Sequence, residues 1–362
     1  MTVRVSKPAI NLREKVSELD KPTGLKGNEL MRSETSQEVR DFIGAGRKNL
    51  FINGGFDIWQ RATSSTATGY VAADRWYHNL SGASMTFSRQ THTDPIDGSL
   101  YYARLASTSS DDNCGFRQRV ENVQSVPEGK VTVSFWARGH VNGNLAVWGT
   151  IHYGSGGSSD VDLSEKRTPY LENDTTFRKY SLTFTIPSHS GKTFGTNSYF
   201  EMSFGQGSGD SASAWTLDIS NIQLEVGEYA TEFEHRSYGE ELKLCERYYE
   251  RYWQNNNSNG PGGGGGDGYN TISGGAHNGS NGYYTWAFRT QKRARPSVGY
   301  AGKFRVIGGS SIANQVPDEF YSPGADGVRI RVGHSGSAGK AFVLEFDGGN
   351  SSNGYLEASA EL

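Results

Sequence analysis

Between residues 48 and 236, hydrophobic and polar residues alternate with a period of two. In the run K-V-T-V-S-F-W-A-R (130–138), Val131, Val133, Phe135 and Ala137 share one face. This alternation is typical of a β-strand with one buried side. Comparable runs lie between turn-forming pairs such as Asn-Gly and Asp-Gly, at residues 85–89, 101–105, 145–153, 177–186 and 199–204. The pattern predicts a mainly β protein whose residues 48–236 form a jelly-roll β-sandwich.

Two stretches bound this predicted sandwich. We interpret K-N-L-F-I-N-G-G-F-D-I-W-Q (48–60) as its first strand and W-T-L-D-I-S-N-I-Q-L-E-V-G (215–227) as its last. In the last strand the apolar spacing changes from two to three between Ile219 and Ile222. We therefore expect one irregularity of the β-bulge type at that point.

The first 47 residues have a different, helical pattern. Leu12, Val16 and Leu19 are spaced as one narrow stripe of a helix, and Phe42 belongs to a second short helix after a capping-box pattern. Neither predicted helix is long enough to be stable alone in water. We predict that residues 1–47 anchor the chain to a partner through these four side chains; an arm folded on its own chain is the alternative.

After the sandwich, the sequence predicts a connecting helix within 237–254. Leu242, Cys245, Tyr249 and Trp253 would line its apolar face, with Cys245 as a small buried hydrophobe. A glycine-rich run (255–268) then reads as a linker or loop. The region 255–362 is predicted to be a second, small β domain, with strands at 283–289, 298–307, 328–332, 341–346 and 355–362. Its few large apolar residues favour packing of three copies around a threefold axis.

Composition and charge narrow the function classes. The 362 residues include 47 glycines and 12% aromatic residues, which suits short strands and tight turns. A net charge of −3 offers no basic surface for nucleic acid. The sequence has neither a signal peptide nor an apolar stretch of membrane-spanning length, so we expect synthesis in a cytoplasm and no membrane insertion. Its two cysteines do not suggest a disulfide framework.

Three phrases carry a resemblance to a known family. They are I-N-G-G-F-D-I-W-Q-R (52–61), A-D-R-W (73–76) and Q-L-E-V-G-E-Y-A-T-E-F-E-H-R-S-Y-G-E-E-L (223–242). Together they resemble the carbohydrate-binding-module jelly roll as it occurs in bacteriophage tail-fibre and related virion proteins, over roughly residues 46–253. The stretches at 288–298 and 356–362 also resemble the ends of phage tail fibres. The resemblance implies a virion protein made in the host cytoplasm.

Sugar binding has a concrete chemical basis in this sequence. Apolar sugar faces stack on Trp and Tyr rings, and sugar hydroxyls bond to polar side chains at the rim. We predict a glycan site at Trp148, His152, Tyr153 and Asp160. For Trp59, Trp76 and Tyr77 core packing is the expected role. Trp136 alternates with the apolar face of its strand, so it is either an aromatic on the outer face or a buried contact under the helix.

We expect no catalytic residue and no cofactor. Glycoside hydrolysis needs two carboxylates that flank the bond. Acidic residues are available but no motif marks them: Asp57, Asp74, Asp111, Asp112, Asp160, Asp162, Glu201 and Asp210. The resembling modules often hold a structural calcium near the first and last strands. Asp57 could contribute, but Ser220 and Asn221 stand where paired aspartates would be needed, so we predict no metal.

The resulting hypothesis is a non-enzymatic homotrimeric tail fibre or adhesin that attaches a phage particle to a host-surface glycan. Residues 1–47 would contact other virion proteins. The alternative is a capsid-bound head fibre or decoration protein. A polysaccharide depolymerase ranks third.

Overall fold

The computed structural model describes residues 48–79, 85–108, 115–140, 145–169, 171, 174–206, 214–253, 271–308, 310–333, 339–346 and 355–362. The predicted anchor, with Leu12, Val16, Leu19 and Phe42, lies outside these ranges, as does the glycine-rich run. Residues Asn49–Leu362 form one compact unit. Within the described ranges, no helix has the length and apolarity needed to cross a membrane.

Two antiparallel sheets make up the first sandwich. The six-stranded sheet has the order β1-β3-β4-β12-β6-β10 and comprises β1 (Ser64–Ser65), β3 (Met85–Ile96), β4 (Ser99–Ser107), β6 (Gly129–His140), β10 (Asp174–Ile186) and β12 (Trp215–Val226). The other has the order β2-β5-β11-β7-β8, with β9 also paired to β7, and comprises β2 (Tyr77–Asn79), β5 (Gly115–Glu121), β7 (Leu145–His152), β8 (Val161–Asp162), β9 (Lys166–Arg167) and β11 (Tyr199–Gln206). A 3-10 turn, Val123–Ser125, follows β5.

Aromatic rings fill the space between these sheets. Trp76 is fully buried and its ring contacts Phe51, Phe56, Phe116 and Phe204. The face predicted for residues 131–137 is buried throughout. The mainly β prediction and its sandwich core are confirmed, because a period-two pattern places each apolar set on one side of its sheet.

The prediction that residues 48–60 form the first strand is wrong, because the segment is an irregular loop. The segment has no strand geometry, although it lies beside β12, with Leu50 donating to the Leu224 carbonyl and Ile222 donating to the Gly54 carbonyl. The Asn49 side chain replaces ladder hydrogen bonds by donating to the Ile222 carbonyl and accepting from Leu224 N–H. Asn53 has a φ of 59°, which breaks an extended conformation.

The expected irregularity in the last strand is confirmed. The register of β12 against β6 shifts between Ser220 and Gln223, and Asn221 has a φ of 52°. Because one extra residue is accommodated there, Ile219 and Ile222 both face the core.

The connecting helix is shorter than predicted. Helix α1 spans Tyr238–Glu246, begins with a capping box between Ser237 and Glu240, and buries Cys245. The predicted stripe residues Tyr249 and Trp253 instead belong to strand β13 (Tyr249–Trp253), which pairs with β22 (Tyr355–Ser359). An aromatic-rich segment suits a strand, and the partner that selects strand pairing is over a hundred residues away.

The remaining strands form a second sandwich. Its three-stranded sheet has the order β13-β22-β16, with β16 at Ser297–Ala301. Its seven-stranded sheet has the order β18-β17-β21-β14-β15-β20-β19 and comprises β14 (Thr271–Ala276), β15 (Asn281–Ala287), β17 (Phe304–Gly308), β18 (Ser310–Gln315), β19 (Pro317–Tyr321), β20 (Gly327–Gly333) and β21 (Ala341–Phe346). The strands predicted after residue 282 are present, but 298–307 divides into two, and β14, β18 and β19 were not predicted.

Candidate functional site: the outer face of the sheet β2-β5-β11-β7-β8

The sheet β2-β5-β11-β7-β8 presents a face of polar and aromatic side chains opposite the core. Cross-strand register groups them into rows. One row joins Tyr77, Arg117, Ser203 and Trp148 across β2, β5, β11 and β7. Because every second residue of a strand points to the same side, the residues two positions along form the next rows. We call this surface the polar–aromatic face.

A depression of about 210 Å³ lies along the first row. Trp148, Arg117, Ser203 and Asn79 lie along it, and Trp148 and Tyr77 are both part-exposed. The guanidinium carbon of Arg117 lies 4.3 Å from the centre of the Tyr77 ring, which holds that side chain against the sheet.

Glycine creates the space beside Trp148. Gly115 and Gly205 are cross-strand partners on this face, so neither contributes a side chain. A Cβ atom at Gly115 would lie 2.0 Å from the Phe204 carbonyl oxygen, so the sheet would have to shift to accept any other residue. The depression is therefore built into the backbone.

The middle row is an ion-paired strip. Glu201 accepts a hydrogen bond from Arg119 at 2.7 Å and lies 3.3 Å from the Arg117 Nε. At the other side, the Thr150 hydroxyl donates to Asp162 at 2.8 Å. These contacts fix the side chains in place, which lowers the entropy lost when a ligand orders them.

The third row combines a tyrosine with a histidine. The Tyr199 and His152 rings lie 4.3 Å apart, and the Arg119 guanidinium carbon is 4.5 Å from the Tyr199 ring centre. His152 Nδ1 lies 2.7 Å from an Asp160 carboxylate oxygen. Burial is the main cause that raises the pKa of the Tyr199 hydroxyl, so this group stays protonated at neutral pH and can donate as well as accept.

The second sandwich borders one end of the polar–aromatic face. Glu121, in the Tyr199 row, pairs with Arg247 at 3.0 Å and accepts a hydrogen bond from the Tyr248 hydroxyl. Arg293 donates to Asn197 at 2.8 Å. A ligand lying on the face is therefore limited on this side by the segments around α1 and residue 293.

Three of the four predicted glycan-binding residues come together on this face. Trp148, His152 and Asp160 lie along β7 and the segment before β8. Tyr153 is a correction, because its side chain is fully buried and its hydroxyl pairs with His189 Nδ1 at 3.1 Å. It follows His152 directly, and neighbouring residues of an extended chain point to opposite sides.

Sequence reasoning missed Arg117 and Tyr199, and it assigned Tyr77 to the core. The alternation R-x-R-x-E in 117–121 opposite Y-x-E-x-S in 199–203 was available as a signal, but pairing those two strands required the register. The core roles expected for Trp59 and Trp76 are confirmed. Trp136 of β6 is part-exposed on the outer side of the sheet β1-β3-β4-β12-β6-β10, where its indole N–H donates to Asp97 at 2.9 Å.

Of the carboxylates considered for hydrolysis, Asp160, Asp162 and Glu201 lie on the polar–aromatic face, and each is bonded to a neighbouring side chain. Asp111, Asp112 and Asp210 lie outside the described residues. Asp74 is fully buried and accepts hydrogen bonds from Gln60. Glu201 lies between Arg117 and Arg119. The face offers charged and hydrogen-bonding groups for recognition, with its acidic side chains already bonded to neighbours.

The residues near a family-type calcium position do not suit that ion. The Ser220 hydroxyl donates to the Tyr101 carbonyl, and the Asn221 amide donates to the Ile96 carbonyl. Burial, followed by the nearby Glu241, raises the pKa of Asp57 to about 6, which disfavours the ionised form that calcium requires. Among the described residues no group of three His, Cys, Asp or Glu side chains is arranged to hold a metal.

No protein-family model and no curated protein matches the chain. Among solved structures it is similar to a protein described as sugar-binding from Bacteroides thetaiotaomicron, with a TM-score of 0.34 and 10% identity over 49% of this chain and 99% of that one. The enzymatically active domain of bacteriophage CBA120 tailspike protein 4 has a TM-score of 0.32 and 13% identity, over 49% of this chain and 21% of that one. A xylan-binding domain from Paenibacillus barcinonensis has a TM-score of 0.26 and 13% identity, over 42% of this chain and 92% of that domain. At such TM-scores the likenesses carry no weight for fold or function, and the sandwich assignment rests on the sheet pairing and core described above.

Proposed function

We propose that this protein binds a glycan chain across the polar–aromatic face, without cleaving it, and does so as a virion adhesin. The observation that carries the proposal is the row Tyr77–Arg117–Ser203–Trp148 with the depression that lies along it. A part-exposed indole beside fixed hydrogen-bonding groups is the combination that sugar rings require.

The charge of the face favours uncharged sugar residues. Arg117 and Arg119 are both engaged by Glu201, and His152 is engaged by Asp160. Sugar hydroxyls can bond to such groups without breaking the ion pairs, whereas a charged ligand would have to compete with them. A shallow, open face suits a chain lying along it more than a single sugar held in a cavity.

The virion assignment rests on the resemblance of 52–61, 73–76 and 223–242 to tail-fibre modules. We propose a homotrimer that is held on the particle by residues 1–47 and presents three glycan sites at once. Multivalent attachment would compensate for weak single sites. Sedimentation equilibrium of the full chain should give three times the mass of 39.6 kDa; a monomer at micromolar concentration would contradict the trimer.

The glycan proposal is tested by replacing Trp148. We expect Trp148→Ala to weaken binding to the best ligand on a glycan array by about tenfold or more, because the stacking surface is lost. Trp136→Ala is the matched control, since it removes a part-exposed indole from the opposite sheet. Equal losses in both variants, or no loss in Trp148→Ala, would overturn the proposed face.

The same preparation separates the rival functions. Incubation with the bound glycan should leave its chain length unchanged by size-exclusion chromatography; shortening would favour a depolymerase. Immunogold labelling of particles should place the protein on the tail. Labelling of the capsid would instead favour a head fibre or decoration protein.

A further inference from the structure

The seven-stranded sheet of the second sandwich has its own cluster of aromatic and cationic side chains on the outer side. Tyr283 of β15 is the cross-strand partner of Arg331 of β20, and Arg329 is the partner of both Thr285 and Tyr321. The core residues of these strands are the intervening ones, such as Tyr284 and Ile330. The cluster therefore faces away from the three-stranded sheet.

Arg329 is held between two tyrosine rings. Its guanidinium carbon lies 4.9 Å from the Tyr283 ring centre and 5.2 Å from the Tyr321 ring centre, and the two rings meet edge to face at 5.7 Å. The side chain is nonetheless exposed to solvent. Contact with two rings restricts its rotamers, while its exposure leaves the guanidinium accessible to a ligand.

The neighbouring arginine is already neutralised. Arg331 lies 3.3 Å from a Glu319 carboxylate oxygen and 3.9 Å from one of Asp318, and it donates to the Tyr321 hydroxyl at 2.7 Å. Among the described residues, Arg329 has no carboxylate within ion-pair distance. Its cross-strand neighbour Thr285 offers an exposed hydroxyl instead, whereas the Tyr321 hydroxyl is engaged by Arg331.

We propose that Arg329 is the centre of a second binding site, which takes the carboxylate of an acidic saccharide. The guanidinium would donate two parallel hydrogen bonds to the carboxylate, which is the geometry that the arginine fork matches. The exposed Thr285 hydroxyl lies beside it for a sugar hydroxyl. The site goes beyond the proposed function, because it lies on another sheet and takes a charged sugar.

The arrangement favours a single carboxylate over a polyanion. The two arginines and two acidic residues of the cluster sum to no net charge, so nothing here attracts a run of phosphates as nucleic-acid sites do. A peptide usually binds to a sheet edge or groove, whereas Arg329 lies on the open face of β20, an inner strand. One preorganised guanidinium with adjacent hydroxyl groups fits one uronic-acid unit.

The test uses the full chain and oligogalacturonate, with its neutral methyl ester as the paired probe. We expect the free acid to bind at least about tenfold more tightly than the ester, which corresponds to one charge-assisted hydrogen-bonded pair. Arg329→Gln should remove this preference, and Arg329→Lys should restore only part of it because the fork is lost. Arg295→Gln, which neutralises an exposed arginine before β16, should change nothing.

Several outcomes would overturn the site. Equal binding of acid and ester, or an unchanged preference in Arg329→Gln, would show that Arg329 does not bind the carboxylate. Inorganic phosphate and tetraglutamate are compared with free galacturonate as competitors: if either displaces the oligosaccharide at the same concentration as galacturonate, the site binds anions in general and is not specific for a saccharide. Trp148→Ala should leave this binding intact, so failure of the polar–aromatic face and failure of the Arg329 site are distinguishable.

Discussion

Buried acidic groups are the residues whose behaviour departs most from that of free amino acids. Burial raises the pKa of Asp74 to about 6, even though it accepts two hydrogen bonds from Gln60 and lies near Arg61. Asp57 reaches a similar pKa because of burial and the nearby Glu241. Both carboxyls therefore keep their proton up to a higher pH in the folded protein than in the unfolded chain, and both are mainly ionised above pH 6.

Asp57→Asn should stabilise the protein at pH 7.5 but not at pH 4. The folded-state pKa of about 6 lies above the unfolded value of 3.8, so the stability contributed by Asp57 is complete below pH 3.8 and lost as the pH rises through 6. The full shift corresponds to about 3 kcal/mol, and screening at this part-exposed site reduces it to about 1–2 kcal/mol. Urea unfolding at both pH values measures the difference.

The exposed Asp94→Asn is the control for this pH dependence and should follow the wild-type profile. A constant difference between Asp57→Asn and wild type across pH 4–7.5 would show that the substitution acts through packing and that the carboxyl does not titrate as described.

Lys292→Met should destabilise the protein by about 3–5 kcal/mol. The Lys292 ammonium and the Glu250 carboxylate are both inaccessible to solvent and lie 2.6 Å apart, so removal of the cation leaves a buried charge without its partner. The double variant Lys292→Met/Glu250→Leu should recover much of the lost free energy of unfolding. If the double variant is less stable than the single one, the pair is not the cause.

At the scale of elements, the segment 48–60 shows how a chain can bond to the backbone of an inner strand, β12, without being a strand itself. Asn49 and Asn53 use their side chains in place of ladder hydrogen bonds, with Asn53 donating to the Ile58 and Asp74 carbonyls and accepting from Ile58 N–H. The segment has positive φ angles at Asn53 and Phe56 and still buries Phe51 and Phe56. This fixed loop connects the core of the first sandwich to helix α1, where Asn53 N–H donates to Glu241.

Gly54→Ala should destabilise the protein by about 2–4 kcal/mol, because an added Cβ would lie 2.1 Å from the Ile222 carbonyl oxygen and the segment must move off β12. Gly239→Ala in helix α1 meets no atom within 4 Å, so it should be neutral or stabilise by up to about 1 kcal/mol. Thermal unfolding monitored by circular dichroism compares the two. A Gly54→Ala midpoint equal to wild type would contradict the close approach.

At the scale of the molecule, polar contacts join the two sandwiches. Arg75 of the first sandwich bonds to Glu361 and to the Arg119 carbonyl, and its guanidinium carbon lies 3.4 Å from the Tyr248 ring centre. The Leu362 carbonyl accepts a hydrogen bond from Arg119 at 2.6 Å. The predicted division into 48–236, 237–254 and 255–362 stays a prediction; the described residues show extensive bonding across it.

Both sandwiches should unfold in one cooperative transition. We expect Arg75→Met to lower hydrogen-exchange protection in β11 and in β15 by the same free energy, because loss of the junction exposes both. Arg167→Met on the exposed strand β9 should leave both values unchanged. Reduced protection in β11 alone would show that the two sandwiches open independently.

Local patterns predicted the elements that depend on local chemistry. The apolar face of 131–137, the bulge near Asn221 and the burial of Cys245 in α1 follow from spacing and residue type. The position of Trp148 on the outer face also follows from the alternation of its strand, and its role in glycan binding stays a prediction. The prediction that Tyr153 binds glycan failed because neighbouring positions of a strand face opposite ways and the sequence does not show which side is buried.

By itself the sequence determined that this protein is mainly β, where most of its strands lie and which faces are apolar, because those properties repeat every two residues. Only the tertiary structure decided that Tyr249–Trp253 pairs with Tyr355–Ser359, that Arg117 and Tyr199 share a face with Trp148, and that Arg329 lies between Tyr283 and Tyr321. These contacts join residues far apart in the chain, and their free energy depends on register and burial, which exist only once the sheets have formed.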